Sequence, residues 1–348
     1  MAATIRDVAN AANVSVSTVS LVLRGKPCRI SDATRQRIFE AAQQLHYIPN
    51  QIAVSLVTGK THTLGLIYSD MFNPLYAAQA VALERAARAQ GYNLLICNCD
   101  NSVERCVQNI RLLESRGIDG FVLQPPVTTN ADPEHLKQLQ VQLQNCSIPY
   151  TILDYAIHDL FHDYVAADHR IGGLLAADLL IDLGHRKIGC ITGDFTGYAS
   201  RHRLEGFRKR MEARGVPFDE SLVYYGQYQV DSGYRGAMEL FKKDVTAIFA
   251  FNDRIALGVQ NAAAETGISI PEDLSLIGYD DSVYANLCPV PLTTIQQPAE
   301  FLGRRSFEIL MERIHNPERR HQDYLYPPAL IQRASCSIPR HQPAAPPL

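Results

Sequence analysis

The sequence predicts a chain in two parts: a small all-α head carrying a helix-turn-helix, and a larger α/β body built from two doubly wound parallel-sheet halves. Three observations predict it. Residues 4–23 show a helix, a reversal and a second helix; at residue 62 the pattern changes to short apolar runs alternating with helical stretches; and that alternation occurs twice. A chain of 348 residues is long enough for two or three domains with sizeable cores.

In the head, Ile5, Val8, Ala9 and Ala12 recur at helical spacing and give a first helix one apolar face. Asn13 stands where the chain must reverse, and Asn tolerates a left-handed backbone better than other non-glycine residues. Ser15 is an N-cap for a second helix, from which Val19, Val22 and Leu23 face the first. Val16, Ser17, Ser20 and Leu21 are left outside, where a DNA groove would lie. An ordinary amphipathic hairpin would give the same pattern over these residues. Ser31 caps a third helix, with Ile38, Phe39, Ala42 and Leu45 expected on its inner face; Pro49 stops it, and a short segment restarts at Asn50.

In the body, residues 64–68, 93–97, 120–123, 149–153 and 164–167 read as strands, with helices over 75–90 and 103–116. A second round places strands at 187–191, 222–225, 247–251 and 274–278, and helices at 201–214, 231–242 and 253–266. This βαβ alternation implies parallel sheets. A helix over 298–314 and a strand near 324–332 return across both halves, and the proline-rich tail 339–348 reads as disordered.

Formal net charge is -3, which does not advertise nucleic-acid binding, but the distribution does. Residues 1–60 hold seven basic residues (Arg6, Arg24, Lys26, Arg29, Arg35, Arg37, Lys60) against Asp7, Asp32 and Glu40, an excess of +4, so the remainder carries -7. A basic head on an acidic body fits phosphate contact by the head alone. The N-terminus lacks the apolar region of a signal peptide, and no run approaches a bilayer span. The eight cysteines are scattered without a C-x-x-C pair, which reads as reduced thiols in a cytoplasmic protein with no metal and no cofactor.

The pattern T-I-x-D-V-A from Thr4, V-S-x-x-T-V-S from Val14 and Y-x-P-N-x-x-A-x-x-L from Tyr47 resembles the headpiece and hinge of the LacI/GalR (lactose-repressor/galactose-repressor) family. The resemblance runs through the body: Asn73-Pro74, Asp168 with Gly172, Gly184 to Ile188, Arg203 to Phe207, Asn252-Asp253, Gly278 to Asp281 and Pro291 to Ile295. It implies a body with the periplasmic-binding-protein type I fold. The expected domains are a headpiece over 1–48, a hinge helix and linker over 49–61, and a core over 62–338. Within the core, one subdomain takes 62–165 plus 297–322 and the other 166–293 plus 323–338.

By the same resemblance, the second helix enters the major groove. Val16 and Ser17 take the leading base-contact places and Leu21 a third, where the family often has Arg. Thr4, Ser15, Thr18, Ser20 and Arg24 are DNA-contact candidates, with capping and surface solvation as the alternative for the hydroxyls. Asn50 and Ala53 belong to the hinge, Leu56 matches the family's minor-groove wedge, and Val54 stands where the family usually has Arg. Partners expected are double-stranded operator DNA read as a near-palindrome, a second copy of the chain, and a small effector.

A cleft between the two halves is expected beyond the strand carboxyl ends. Its candidate ligands are Asp70, Asn73 and Tyr76 from the first half, and Arg203, Tyr228, Asn252 and Asp280 from the second. Alternatives stay open: Arg203 as a structural ion-pair partner, Tyr228 as core, and Asp280 with Asp281 as a solvated turn or a Mg²⁺ site. His185 reads as structural, while His169 and His202 are ambiguous. The function expected is a ligand-controlled, DNA-binding transcription factor, usually a repressor. A carbohydrate or its phosphate is the first effector guess, from the family's habits. A purine-responsive regulator and a solute-binding receptor are the alternatives. An enzyme is disfavoured because G-x-S-x-G, P-loop, G-x-G-x-x-G and H-E-x-x-H patterns are all missing.

Overall fold

A computed structural model describes residues 3–23, 27–48, 55, 59–130, 132–154, 157 and 162–340. The chain divides into one unit ending at Thr61 and another beginning at His62.

The first unit is built on capped helices. Helix α1 (Ile5–Ala12) opens with a capping box: the Asp7 backbone N–H donates to Thr4 Oγ1, and the Thr4 N–H donates to Asp7 Oδ2 at 2.8 Å. It ends at Asn13, which takes the left-handed backbone expected of it, φ 53°. Helix α2 (Val16–Leu23) starts where the Thr18 N–H donates to Ser15 Oγ at 3.2 Å, and α3 (Asp32–Gln44) where the Thr34 N–H donates to Ser31 Oγ. Val8, Ala9, Ala12, Val19, Val22, Ile38, Ala41 and Ala42 close the core. Two expected core residues do not join it. Phe39 is one position, or about 100°, off the Ile38–Ala41–Ala42 stripe and points to solvent, and Leu45 is exposed at the helix end.

The second unit has two six-stranded sheets. Strands β1 (Thr63–Tyr68), β2 (Asn93–Asn98), β3 (Gly120–Leu123), β4 (Tyr150–Leu153) and β5 (Tyr164–Ala167) join with β11 (Asp323–Tyr326) in the order β11-β5-β4-β3-β1-β2, all parallel. Strands β6 (Ile188–Thr192), β7 (Val223–Tyr225), β8 (Ala247–Ala250), β9 (Ser275–Asp280) and β10 (Thr293–Gln296) join with β12 (Ala329–Ile331) in the order β12-β10-β9-β8-β6-β7, where only β12 is antiparallel. On β1, Leu64, Leu66 and Tyr68 pack towards helices α4 (Pro74–Ala89) and α12 (Ala299–His315). Ile67 faces the opposite layer with Val103 and Val107 of α5 (Val103–Ser115).

The chain crosses between lobes after Ala167, after Gln296 and at Pro327-Pro328. This corrects the expected boundaries. The break at 165/166 falls inside β5, and residues 323–326 belong to the first lobe because they pair with Tyr164–Ala167. The strand expected near 324–332 is two strands in two sheets, split where two prolines withhold their N–H groups. Helix α6 (Pro133–Gln144), helix α7 (His169–Asp182) and β10 were not anticipated. Helix α7 buries one face made largely of small residues (Gly172, Gly173, Ala176 and Ala177) and carries Ile171, Leu174, Leu175 and Leu179 on its less buried side, so its sequence shows little amphipathic contrast. Of the expected disordered tail, Arg340 is placed by a 2.7 Å ion pair to Asp273, and residues 341–348 lie outside the described residues.

Helix α7 packs on α8 (Tyr198–Ala213) backbone to backbone. A methyl at Gly173 would stand 2.1 Å from the Arg203 carbonyl oxygen, and one at Gly206 2.1 Å from the Arg170 carbonyl oxygen. Gly206→Ala is therefore expected to destabilise the body by about 1–3 kcal/mol, lowering its melting temperature by roughly 2–4 °C per kcal/mol. An unchanged melting curve would mean that the helix pair can part at no cost.

Candidate functional site

On the head, Val16, Ser17 and Leu21 are exposed and Ser20 is half-buried, so the outer face of α2 presents the four residues expected there. The hydroxyls are less free than the sequence suggests. Thr4 is occupied in the capping box, and Ser15 Oγ lies 2.8 Å from both Ser17 Oγ and Thr18 Oγ1. The candidates Arg24, Asn50, Ala53 and Leu56, and with them Val54, lie outside the described residues.

In the body, the strand carboxyl ends of both lobes converge on one small cavity. From the first lobe come Asn73 and Tyr76 after β1, Gln124 after β3 and Asp154 after β4. From the second come Arg203 on α8, Tyr228, Asn252 after β8 and Asp280 at the end of β9. The cavity volume is about 30 Å³. Six of the seven expected effector residues line it.

Asp70 does not. It pairs across the lobes with Arg254 Nη1 at 3.3 Å and accepts from the Phe72 N–H at 2.9 Å, so it serves the rim as an ion pair. Gln124, Asp154 and Tyr198 line the cavity without having been expected, although Gln124 and Asp154 each directly follow a first-lobe strand, where a parallel sheet presents its ligands.

Arg203 is the centre of the second-lobe wall. It is 3% exposed. Its Nη1 donates to the Phe251 carbonyl, its Nε donates to His169 Nδ1 at 3.4 Å, and its Nη2 stands 3.7 Å from Asp280 Oδ1. The guanidinium lies 3.6 Å from the centroid of the Tyr279 ring. Because His169 Nδ1 accepts from Arg203, its proton sits on Nε2, which faces Asp154 Oδ1 across the lobes at 3.5 Å. Burial and Arg203 hold the His169 pKa below its ordinary value, keeping the ring neutral. His169 thus stands behind the wall. His202 is turned away by its Nδ1 contact with the Tyr198 carbonyl, and His185 is tied to Thr246, Ser275 and the Ser337 carbonyl, the structural role expected.

Asp280 accepts from Gln297 Nε2 at 2.6 Å and has φ 104°, a backbone conformation rare outside glycine. Burial pushes its carboxyl up to about 6, with Arg203 and Gln297 opposing. Asp281 pairs with Arg333 at 2.7 Å and accepts from Gln296, which answers the alternatives of a free turn or a Mg²⁺ ligand. Among the described residues no group of three metal-ligating side chains comes together. Asn73 and Asn252 each spend their Oδ1 capping a helix, accepting from Leu75 N–H and Ile255 N–H, which leaves their amide nitrogens for a ligand. Tyr228 packs its ring against Gly193, and its hydroxyl meets Ser200 Oγ at 2.7 Å.

Residues 4–50 match the family described as bacterial regulatory proteins, lacI family, and residues 177–336 match the periplasmic binding protein-like domain. The chain is 34% identical over 338 residues to the HTH-type transcriptional regulator DegA of Bacillus subtilis (strain 168), covering 97% of this chain and 99% of that protein. Among solved structures it resembles the transcriptional regulator CelR–cellobiose complex, at 30% identity and TM-score 0.73 over 96% of this chain and 99% of that one. It also resembles the Lac repressor dimer bound to operator and the anti-inducer ONPF, at 26% identity and TM-score 0.86 over 97% and 100%. Among the described residues no helix is long and apolar enough to cross a membrane.

Behind Asp280, the buried Asp253 accepts from Thr294 Oγ1 at 2.7 Å and from the Ser282 N–H at 2.6 Å; burial and Asp280 push its carboxyl up to about 8 from an ordinary 3.8. Between those values the unfolded chain releases a proton that the folded chain keeps, so stability falls as pH rises through the window. Asp253→Asn is expected to flatten that decline between about pH 5 and pH 8, read as urea midpoints against pH. Parallel curves for parent and variant would contradict it.

Proposed function

The chain belongs to the lacI family of bacterial regulatory proteins, a ligand-responsive, DNA-binding transcriptional regulator, and from that premise we propose that it is a repressor whose cleft takes a small carbohydrate. The observation that carries this reading is the convergence of Asn73, Tyr76 and Asp154 from one lobe with Arg203, Asn252 and Asp280 from the other on a single cavity. A ligand there touches both lobes at once, so it favours whichever lobe arrangement brings those groups together. Carboxylate, guanidinium and amide groups in one enclosed space suit the hydroxyls of a sugar. The relative in complex with cellobiose supports the ligand class.

A second copy of the chain is the proposed partner. On α4, Val81 is 48% exposed beside Ala77, Ala78 and Ala82, and Val283 is 54% exposed on the same open groove. Such a patch suits a two-fold interface, and a dimer would pair two weak reading heads on a near-palindromic operator. Val16, Ser17 and Leu21 are the proposed base-facing residues, with Leu56 as the minor-groove wedge. Eight free thiols suit a cytoplasmic setting. Catalysis is not part of the reading, which follows the relatives as transcriptional regulators.

The test is thermal shift of the full chain against sugars, polyols and nucleobases, followed by operator binding with each hit. A sugar that raises the melting temperature, alters operator affinity and loses its effect in Asp280→Asn would support the reading; a nucleobase hit alone would replace the ligand class. Affinity is also expected to depend on pH. A ligand hydroxyl donating to Asp280 favours its ionised form, so one pH unit below its value of about 6 the dissociation constant should weaken about tenfold. A dissociation constant that stays flat across that range would take Asp280 out of the contact.

A further inference from the structure

The charge inventory of the cleft says more than that it suits a sugar. We infer that the effector is an uncharged polyhydroxylated molecule, and that the cleft rejects its phosphorylated counterpart. This rests on the reading of the cavity as the effector site.

The first-lobe lining is Asn73, Leu75, Tyr76, Gln124, Val127 and Asp154, with no lysine, arginine or histidine among them. Among the described residues lining the cavity, the second lobe supplies one cation, Arg203, and its donors are already aimed at the Phe251 carbonyl, His169 Nδ1 and Asp280. The histidine behind it is held neutral by burial and by Arg203 itself. The cation at the rim, Arg254, is tied to Asp70 and donates to Gln229 Oε1. Against these stand two carboxyl groups facing each other from opposite lobes, Asp154 and Asp280.

A phosphate monoester brings about two negative charges and three acceptor oxygens, and binds where free guanidinium or ammonium groups surround it. Here it would find the neutral amide donors of Asn73 and Asn252 but no uncommitted cation, and it would face two carboxyl groups. One feature favours an anion: helix α8 begins at Gly197 with no side-chain cap, and Gly197, Tyr198 and Ala199 line the cavity. A helix N-terminus carries about half a positive charge, which two carboxylates outweigh, and its N–H groups serve the ring and hydroxyl oxygens of a neutral sugar equally well.

Asp154 supplies the positive half of the argument. It is 6% exposed, and its Oδ1 has no hydrogen-bond donor, only the His169 Nε2 at 3.5 Å. A buried acceptor without a donor is costly. A ligand hydroxyl satisfies it; a phosphate oxygen repels it.

The experiment uses the full chain and calorimetric titration with ribose, glucose, fructose and mannitol, each beside its own monophosphate. The expected result is that the sugar or polyol that binds does so at least about a hundredfold more tightly than its phosphate, the scale of an unscreened like-charge contact. In Asp154→Asn, which keeps the left-handed backbone of this position (φ 57°), the neutral ligand should weaken while the gap to its phosphate narrows about tenfold or more. A phosphate that binds as tightly as its parent sugar, or more tightly, overturns the inference and leaves the cleft reading standing. Silence from every pair in both proteins, with operator binding intact, overturns the cleft reading and this inference with it.

Discussion

The burial of one guanidinium organises the second lobe. Moving Arg203 out of water is tolerable only because a backbone carbonyl, a neutral imidazole, an aromatic face and a carboxylate surround it. Those partners come from the end of β8, the start of α7 and the end of β9. A single cation therefore fixes three segments that sequence separation leaves far apart. Removing it would strand the Asp280 carboxyl in a low-dielectric wall, a loss of about 3–5 kcal/mol for buried pairs of this kind. It also explains how Asp280 sustains a backbone angle of φ 104°: the side chain is held by Gln297 and Arg203, and the strand behind it is fully buried.

The contacts between the lobes are of a different grade. Asp70 and Arg254 keep 24% and 14% side-chain exposure, so their pairing is worth less than a buried one. His169 and Asp154 stand 3.5 Å apart without an aligned hydrogen bond. Each lobe, by contrast, is closed by a parallel sheet with helices against it. Strong packing within lobes and weak ties between them is the arrangement that lets a ligand change the angle between two bodies without deforming either. The three crossings are single stretches of chain, one of them a proline pair.

Much of this was legible in the residues, and the failures have physical causes. Turn and cap chemistry is local, so Asn13, Ser15 and Ser31 announced the head correctly. Strands buried on both faces read as apolar runs, so most of both sheets could be placed. Helix α7 could not, because its buried face is largely glycine and alanine while leucines stand on the less buried side, which erases the apolar contrast that betrays a surface helix. The boundary at β11 was missed for another reason: which sheet a short edge strand joins depends on partners 159 residues away, here Tyr164–Ala167. In the cleft, Asn73, Arg203, Asn252 and Asp280 were found through a family resemblance. Gln124 and Asp154 were overlooked although strand-end position alone marks them. Asp70 was misplaced because adjacency to a strand end does not say which side of the rim a side chain takes.

The head explains why such a cleft can matter. Thr4, Ser15 and Thr18 spend hydroxyls on one another and on helix caps, leaving Val16, Ser17 and Leu21 exposed as the proposed reading surface. None of these makes the two-pronged base contact that arginine, asparagine or glutamine makes. A single head therefore discriminates by little, and in the proposed dimer occupancy rests on keeping two such heads correctly spaced. Coupling between binding sites amounts to about 1–3 kcal/mol. Against tight independent heads that would be lost; against weak paired ones it is enough to move the operator between mostly bound and mostly free.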